Sequence, residues 1–217
     1  MTTTTKRVAS FLAVSLLMVP RLSGAQAIFG VKGGFNLATA PNLSEVIDPI
    51  SSVTTSSTSV KKGWALGAFL EAPLGEIAYF QPEMIFVTDG TVLNGANGAT
   101  TTATLYLLEV PMVLRLGPKP GNHATYYALM GPDVQAHLHT SSQLVKGGAT
   151  TDLSTTVNGT FRRAYMALLF GGGVTLNHYF IEGRYTVGLN DIMFEAPYVH
   201  ANPIKNRAFG IMAGLTF

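Results

Sequence analysis

Residues 206–217, reading NRAFGIMAGLTF, constrain the chain more than any other stretch. Phe209, Ile211, Ala213, Leu215 and Phe217 fall on every second position, and the residues between them are mostly small. Period-two alternation over this length describes a strand with two different faces. A strand that ends on an outward-facing Phe frays in water. It is stable where it closes against a first strand and turns its apolar face to lipid. The expectation for the rest of the chain is further strands of similar length and the same alternation.

Seven such segments precede it. Residues 29–38 place Phe29, Val31, Phe35 and Leu37 on one face, opposite Lys32, Gly34 and Asn36. Residues 62–72 set Trp64, Leu66 and Leu70 against Phe69 and Glu71. Residues 77–88 set Phe80, Met84 and Phe86 against Gln81 and Glu83; a bulge is expected near Pro82, which has no N–H for the ladder. Residues 104–116 set Tyr106, Leu108 and Met112 against Glu109 and Arg115. Residues 124–138 set Tyr126, Met130 and Val134 against Asp133, Gln135 and His137. Residues 161–176 set Met166, Leu168 and Phe170 against Arg163 and Tyr165, and residues 179–190 set Tyr179, Ile181 and Tyr185 against Glu182 and Arg184.

The connections alternate in length. Polar, Gly-, Ser- and Thr-rich loops are expected at 39–61, 89–103, 139–160 and 191–205, and short turns at 73–76, 117–122 and 177–178. An even strand count with every short turn at one end also puts both termini there. This is the asymmetry of outer-membrane barrels, with short periplasmic turns and longer outside loops. The pattern predicts an all-β fold, an eight-stranded antiparallel up-and-down transmembrane β-barrel whose strands are long enough to cross a bilayer at the usual tilt.

Alternation also suits a soluble barrel with an apolar interior around a ligand. Composition favours lipid on the outside. Only 12% of residues are charged, too few to cover the outer face of a soluble barrel. The small residues of the other face fit a narrow lumen, and Trp64, Tyr106, Tyr126 and Tyr179 fall near strand ends, where interfacial aromatics belong. Cysteine is absent, which excludes disulfides and thiolate metal sites.

The amino-terminal segment gives the address. Lys6 and Arg7 precede an apolar run over 8–19, then Arg21 and Ser23-Gly24-Ala25-Gln26-Ala27. This is the pattern of a secretory signal peptide over 1–27, leaving 28–217 as the barrel domain. Its removal takes three of the 14 basic residues and none of the 12 acidic ones, so the formal charge falls from +2 to −1. Nothing in that balance points to nucleic acid.

Several segments carry a family resemblance. Gly30-Val31-Lys32-Gly33-Gly34-Phe35-Asn36-Leu37, Gly67-Ala68-Phe69-Leu70-Glu71-Ala72-Pro73-Leu74 and Phe80-Gln81-Pro82-Glu83-Met84 resemble the PorT-type outer-membrane β-barrel family. So do Tyr106-Leu107-Leu108-Glu109-Val110-Pro111, the run from Gly183 through Arg184 and Tyr185 to Asp191, and Asn206-Arg207 at the start of the last strand. The resemblance implies an integral barrel of the Gram-negative outer membrane. The family's founding member is linked to protein secretion, a role that the resemblance does not by itself carry to this chain. Pro197 and Pro203 in the last long loop match no pattern.

By strand parity Lys32, Glu71, Glu83, Glu109, Arg115, Asp133, Arg163, Glu182 and Arg184 point inward. Lone charges in a narrow lumen are costly, so they are expected to pair across neighbouring strands and rigidify the barrel; truncating Glu109 is expected to destabilise it. The sharper alternative is a charged ring in a small porin-like channel. Another is a lipid-modifying enzyme with His137, His139 and Ser141 at the rim of the third long loop. His137 and His139 read as inward on one face, which counts against attack on a lipid and leaves a weak metal site conceivable. Phosphate loops and a nucleophile elbow are absent. The reading is a non-catalytic barrel without cofactor or metal that acts through surface loops or in assistance to secretion. Its partners would be outer-membrane lipid, the barrel-insertion machinery and a surface or secretion partner. Phe209, Ile211, Leu215 and Phe217 are the expected insertion signal.

Overall fold

The computed structural model describes residues 27–39, 44–51, 54–95, 98–119, 121, 123–158, 161–192 and 204–217. The expected signal peptide, except for Ala27, lies outside them, as do Pro197 and Pro203.

Among the described residues nine strands and two short helices form: β1 (Ile28–Thr39), α1 (Ser44–Ser51), β2 (Thr55–Pro73), β3 (Ala78–Gly95), β4 (Thr100–Leu116), β5 (Thr125–Lys146), β6 (Ala149–Asp152), α2 (Ser154–Asn158), β7 (Ala164–Leu176), β8 (Tyr179–Gly188) and β9 (Arg207–Thr216). The hydrogen-bonded order β4-β3-β2-β1-β9-β8-β7-β5 closes through a β4–β5 pairing, so eight antiparallel strands make a ring. β6 hangs on β5 outside the ring. Closure leaves every strand of the ring paired on both sides, which the bilayer demands of a sheet that crosses it.

β9 seats against β1 from Gly30↔Thr216 to Thr39↔Arg207, and the Phe217 N–H donates to the Phe29 carbonyl. Phe29 and Phe217 stack at 5.9 Å. Thus Phe209, Ile211, Leu215 and Phe217 stand on the outer surface of the closing strand. At the short-turn end a two-residue hairpin joins β7 to β8, with Asn177 at φ 55°, the left-handed conformation that such turns require and Asn tolerates.

The other end differs from the expected loops. Residues 89–103 continue β3 and β4, joined by only 96–99. Residues 139–160 extend β5 to Lys146, turn at Gly147-Gly148 (φ 58° and 82°) into β6, and enter α2. Residues 39–61 hold α1 and the beginning of β2. Thr is β-branched and at home in a strand, so a Thr-rich stretch reads as a loop yet folds as a wall. The expected bulge near Pro82 is missing. Pairing on its β2 side lapses between Phe69↔Glu83 and Ala72↔Phe80 and resumes in the same register. Register shifts fall instead between Thr55 and Ser57 and between Val60 and Ala65 on the β2–β3 ladder, and between Tyr106 and Leu107 on the β4–β5 ladder.

Candidate functional site

From the short-turn end upward, inward side chains fill the lumen in layers. The lowest is aromatic. The Arg115 guanidinium lies 4.3 Å from the Tyr127 ring centroid and 5.1 Å from that of Tyr79, with Glu71 at 3.6 Å. Phe69 and Phe180 meet edge to face at 5.5 Å. Glycines make room for this plug: a Cβ on Gly30 would sit 2.2 Å from the Phe69 ring, and one on Gly173 would sit 2.5 Å from the Tyr127 hydroxyl.

Above it four charges close on one another. Lys32 on β1 donates to Glu83 on β3 at 2.9 Å and to Glu182 on β8 at 3.1 Å. Arg184 donates through both terminal nitrogens to Glu83, at 2.6 and 2.7 Å, and through Nε to Glu182 at 2.6 Å. Gln81 and Tyr127 add a donor each, to Glu83 at 2.6 Å and to Glu182 at 3.1 Å. The four residues are 2–5% exposed. The partners are not on adjacent strands, as the alternation suggested, because β3 and β8 lie on opposite walls. A lumen this narrow lets long side chains meet across its axis.

The third layer is acidic. Gln135 donates its amide to Glu109 at 2.8 Å and to Asp133 at 2.7 Å. Asp89 accepts from the amides of Asn36 and Asn206. Glu109 therefore takes an amide rather than a cation as its hydrogen-bond donor. Asp89, Asn36, Asn206, Gln81, Gln135 and Tyr127 belong to these layers although a search for paired charges passes over them; inward parity on the strands was the available signal for all but Asn206, which precedes β9.

Arg163 does not join them. It precedes β7 and is exposed, while its carbonyl accepts from the His137 N–H at 2.9 Å. β7 starts one residue later, so strand parity does not reach it.

At the top a hydrophobic cap closes the mouth. Ile47 of α1, Val157 of α2, Phe161, Ile192 and Ile204 pack onto Leu93, Ala103, Leu105 and Leu107, which line the inner face of β3 and β4. The Asp48 carboxylate ties α1 to β2 by accepting from the N–H and hydroxyl of Thr55, at 2.7 and 2.5 Å. Asp152 accepts from the hydroxyl and N–H of Ser154 at the start of α2. Those two bonds hold the Asp152 carboxyl below its ordinary range.

The three candidate catalytic residues are split. The register shift makes Leu138 an extra residue in β5, and such a shift reverses the faces beyond it. His137 points into the cap, 2.7 Å from the Thr140 hydroxyl and stacked on Phe161 at 5.0 Å. His139 is turned outward, its ring 6.0 Å from Tyr106, and Ser141 follows on that outer face opposite Thr104. The expected common face for His137 and His139 is therefore wrong. Among the described residues no cluster of three or more His, Asp or Glu forms a metal site.

Outside, an aromatic row crosses the β2–β5 face: Trp64–Phe86 at 5.3 Å, Phe86–Tyr106 at 6.4 Å and Tyr106–His139 at 6.0 Å. Tyr126 and Tyr179 stand exposed at the short-turn end. The β4 stretch from Leu116 to Tyr106, tilted as barrel strands are, covers a band about 25 Å tall. Between these belts the outward positions of the described strands carry no charged residue. Beyond Tyr106 and Trp64, the ends of β2–β5 with β6 project as a wall whose outer face includes Thr100, Thr102, Thr104 and Gln143.

A closed ring of eight tilted strands, apolar outside and polar inside, is the architecture of an outer-membrane β-barrel. The chain belongs to the outer membrane protein beta-barrel domain family, whose family model matches residues 24–193; it is an integral protein of the outer membrane. Solved structures similar to it share low identity. Ail, the attachment invasion locus protein of Yersinia pestis, is 12% identical, with 88% of this chain and 99% of that one covered and a TM-score of 0.40. Neisserial surface protein A is 9% identical, with 90% and 100% covered and a TM-score of 0.45. OprG of Pseudomonas aeruginosa is 12% identical, with 89% and 97% covered and a TM-score of 0.46. No curated protein matches the chain.

Proposed function

We propose that this is a sealed, non-catalytic barrel of the PorT type that works through its projecting wall and cap, as a surface recognition element or in assistance to secretion. The observation that carries this reading is the filled lumen under a hydrophobic cap. A barrel packed in this way offers solute no path, and its elaborated end is the one with the long connections. In this reading residues 1–27 are removed on export, both termini are periplasmic and the wall faces outward from the cell. The chain has no cysteine, so single-cysteine variants report orientation cleanly. Thr102→Cys on the wall is expected to react with an impermeant maleimide on intact cells. Gly75→Cys in a short turn, where a Cβ meets nothing within 4 Å, is expected to react only after permeabilisation. The opposite pattern would reverse the assignment.

One observation favours a second reading. His139 and Ser141 share the outer face beside Tyr106, at the height where lipid ends. A lipid-modifying site would lie there, not at His137. Mass spectrometry of phospholipid and lipid A incubated with the refolded barrel separates the two. Unchanged lipid supports the non-catalytic reading. An acyl loss or transfer abolished by both His139→Ala and Ser141→Ala would replace it.

A further inference from the structure

Among the described residues the outward face carries no charge between the aromatic belts, and just above the apolar band two cations stand on it. Lys62 on β2 has the parity of Trp64 and Leu66, and Arg207 on β9 has the parity of Phe209 and Ile211. All six are exposed. β1 runs between them. Leu37 pairs with Lys62 on one side and Phe209 on the other, and Thr39 pairs with Arg207. Two strand spacings across β1 and a two-residue offset along it put the backbones of Lys62 and Arg207 about 12 Å apart, and both side chains are long enough to lean over Leu37. Lys205, also exposed, stands two residues above Arg207.

We infer that Lys62 and Arg207 form a site for the phosphorylated headgroup of a membrane glycolipid, with its acyl chains lying along Leu37, Trp64, Leu66 and Phe209. The inference rests on the long-connection end facing the outer leaflet. Three physical features select this occupant. The height is that of headgroups, because the apolar faces of three adjacent strands end there. The charge is complementary, and each cation near such a surface adds roughly 1 kcal/mol of attraction to an anionic lipid. The chemistry is also complementary: a guanidinium grips phosphate oxygens through two parallel N–H donors, and an ammonium adds a point charge. Two cations bordering an apolar strip fit an amphiphile better than a free ion.

Trp64 is the single tryptophan of the chain and lies two residues from Lys62, so the protein carries its own reporter. The full mature barrel in neutral detergent is titrated with bisphosphorylated lipid A, with fully dephosphorylated lipid A and with inorganic phosphate, while Trp64 emission is followed. The expected result is a saturable change with the phosphorylated lipid and none with inorganic phosphate. The dephosphorylated lipid should bind about tenfold weaker or worse. Lys62→Gln/Arg207→Gln should weaken the phosphorylated lipid by about tenfold or more. Lys62→Arg should retain binding, and Lys119→Gln, near the short-turn end, should leave it unchanged. A heat-sensitive gel shift confirms that each variant is folded. Equal binding of the two lipids, or an unchanged titration in the folded double variant, overturns the site. Binding of inorganic phosphate alone would make it a plain anion site. None of these outcomes depends on orientation in the cell, which the maleimide experiment reads separately.

Discussion

Glu83 is the residue on which the lumen turns. It accepts from Lys32, Gln81 and two nitrogens of Arg184. Its removal leaves two buried cations with Glu182 as their remaining carboxylate. Breaking a buried ion pair by deleting one partner costs roughly 3–5 kcal/mol, because the other charge stays desolvated. Glu83→Ala is therefore expected to lower the urea midpoint of the refolded barrel sharply. The sequence pattern gave Glu109 equal standing, but its donor is the Gln135 amide. Glu109→Gln is expected to change stability by less than about 1 kcal/mol, since an amide in its place keeps the shape and carries no charge. A larger loss in Glu109→Gln than in Glu83→Ala would show that the cross-lumen cluster is not the dominant tie. Strand parity identifies which charges face inward. It does not tell which of them meet, because that depends on closing the ring and bringing β3 opposite β8.

At the scale of elements, the eight strands were legible because lipid leaves a strand little choice: every second side chain must be apolar, and Phe209-x-Ile211 or Tyr106-x-Leu108 repeats the rule in plain sight. The wall and cap were not legible. Thr100, Thr101, Thr102 and Thr104 have the composition of a loop, and only their period, continued through Leu105 and Leu107, marks a strand. The Gly147-Gly148 pair was a hairpin signal within a stretch read as a loop. The extra residue at Leu138 sent His139 to the opposite face, which no local pattern announced. The cap gathers Ile47, Val157, Phe161, Ile192 and Ile204 from three separate connections, so its core exists only once the barrel has placed them. Leu105 is buried at its centre, and Leu105→Ala is expected to cost about 2–5 kcal/mol of packing there. The readout is limited proteolysis: the connections 40–54 and 153–163 should be cut faster while the heat-sensitive barrel band survives. Loss of the whole barrel at the same rate would mean that cap and barrel unfold as one. At the closing strand, Phe217 stacks on Phe29 and ends the lipid-facing row. Phe217→Ala is expected to reduce assembly into the outer membrane, read as unfolded precursor in cell fractions; normal assembly would remove it from the insertion signal.

For the molecule as a whole, the layers act in series. An aromatic plug lies at the short-turn end, a closed charge cluster above it, then an acidic and amide layer, and a hydrophobic cap. A solute would have to pass all four. The native barrel in a planar bilayer is expected to show no discrete conductance steps. The sharper test opens one layer at a time. In Leu105→Ala/Phe161→Ala the cap loosens, yet Glu83, Lys32 and Arg184 still fill the waist, and Arg115 still stacks on Tyr127 beneath them. This variant should stay silent at the voltages where the native barrel is silent. If it conducts, the polar layers are a water path and the cap is its gate, and the protein is a regulated channel rather than a sealed support. If it stays silent, the barrel serves as a rigid pedestal, with charges that fix opposite walls to one another below a cap and wall built for contact.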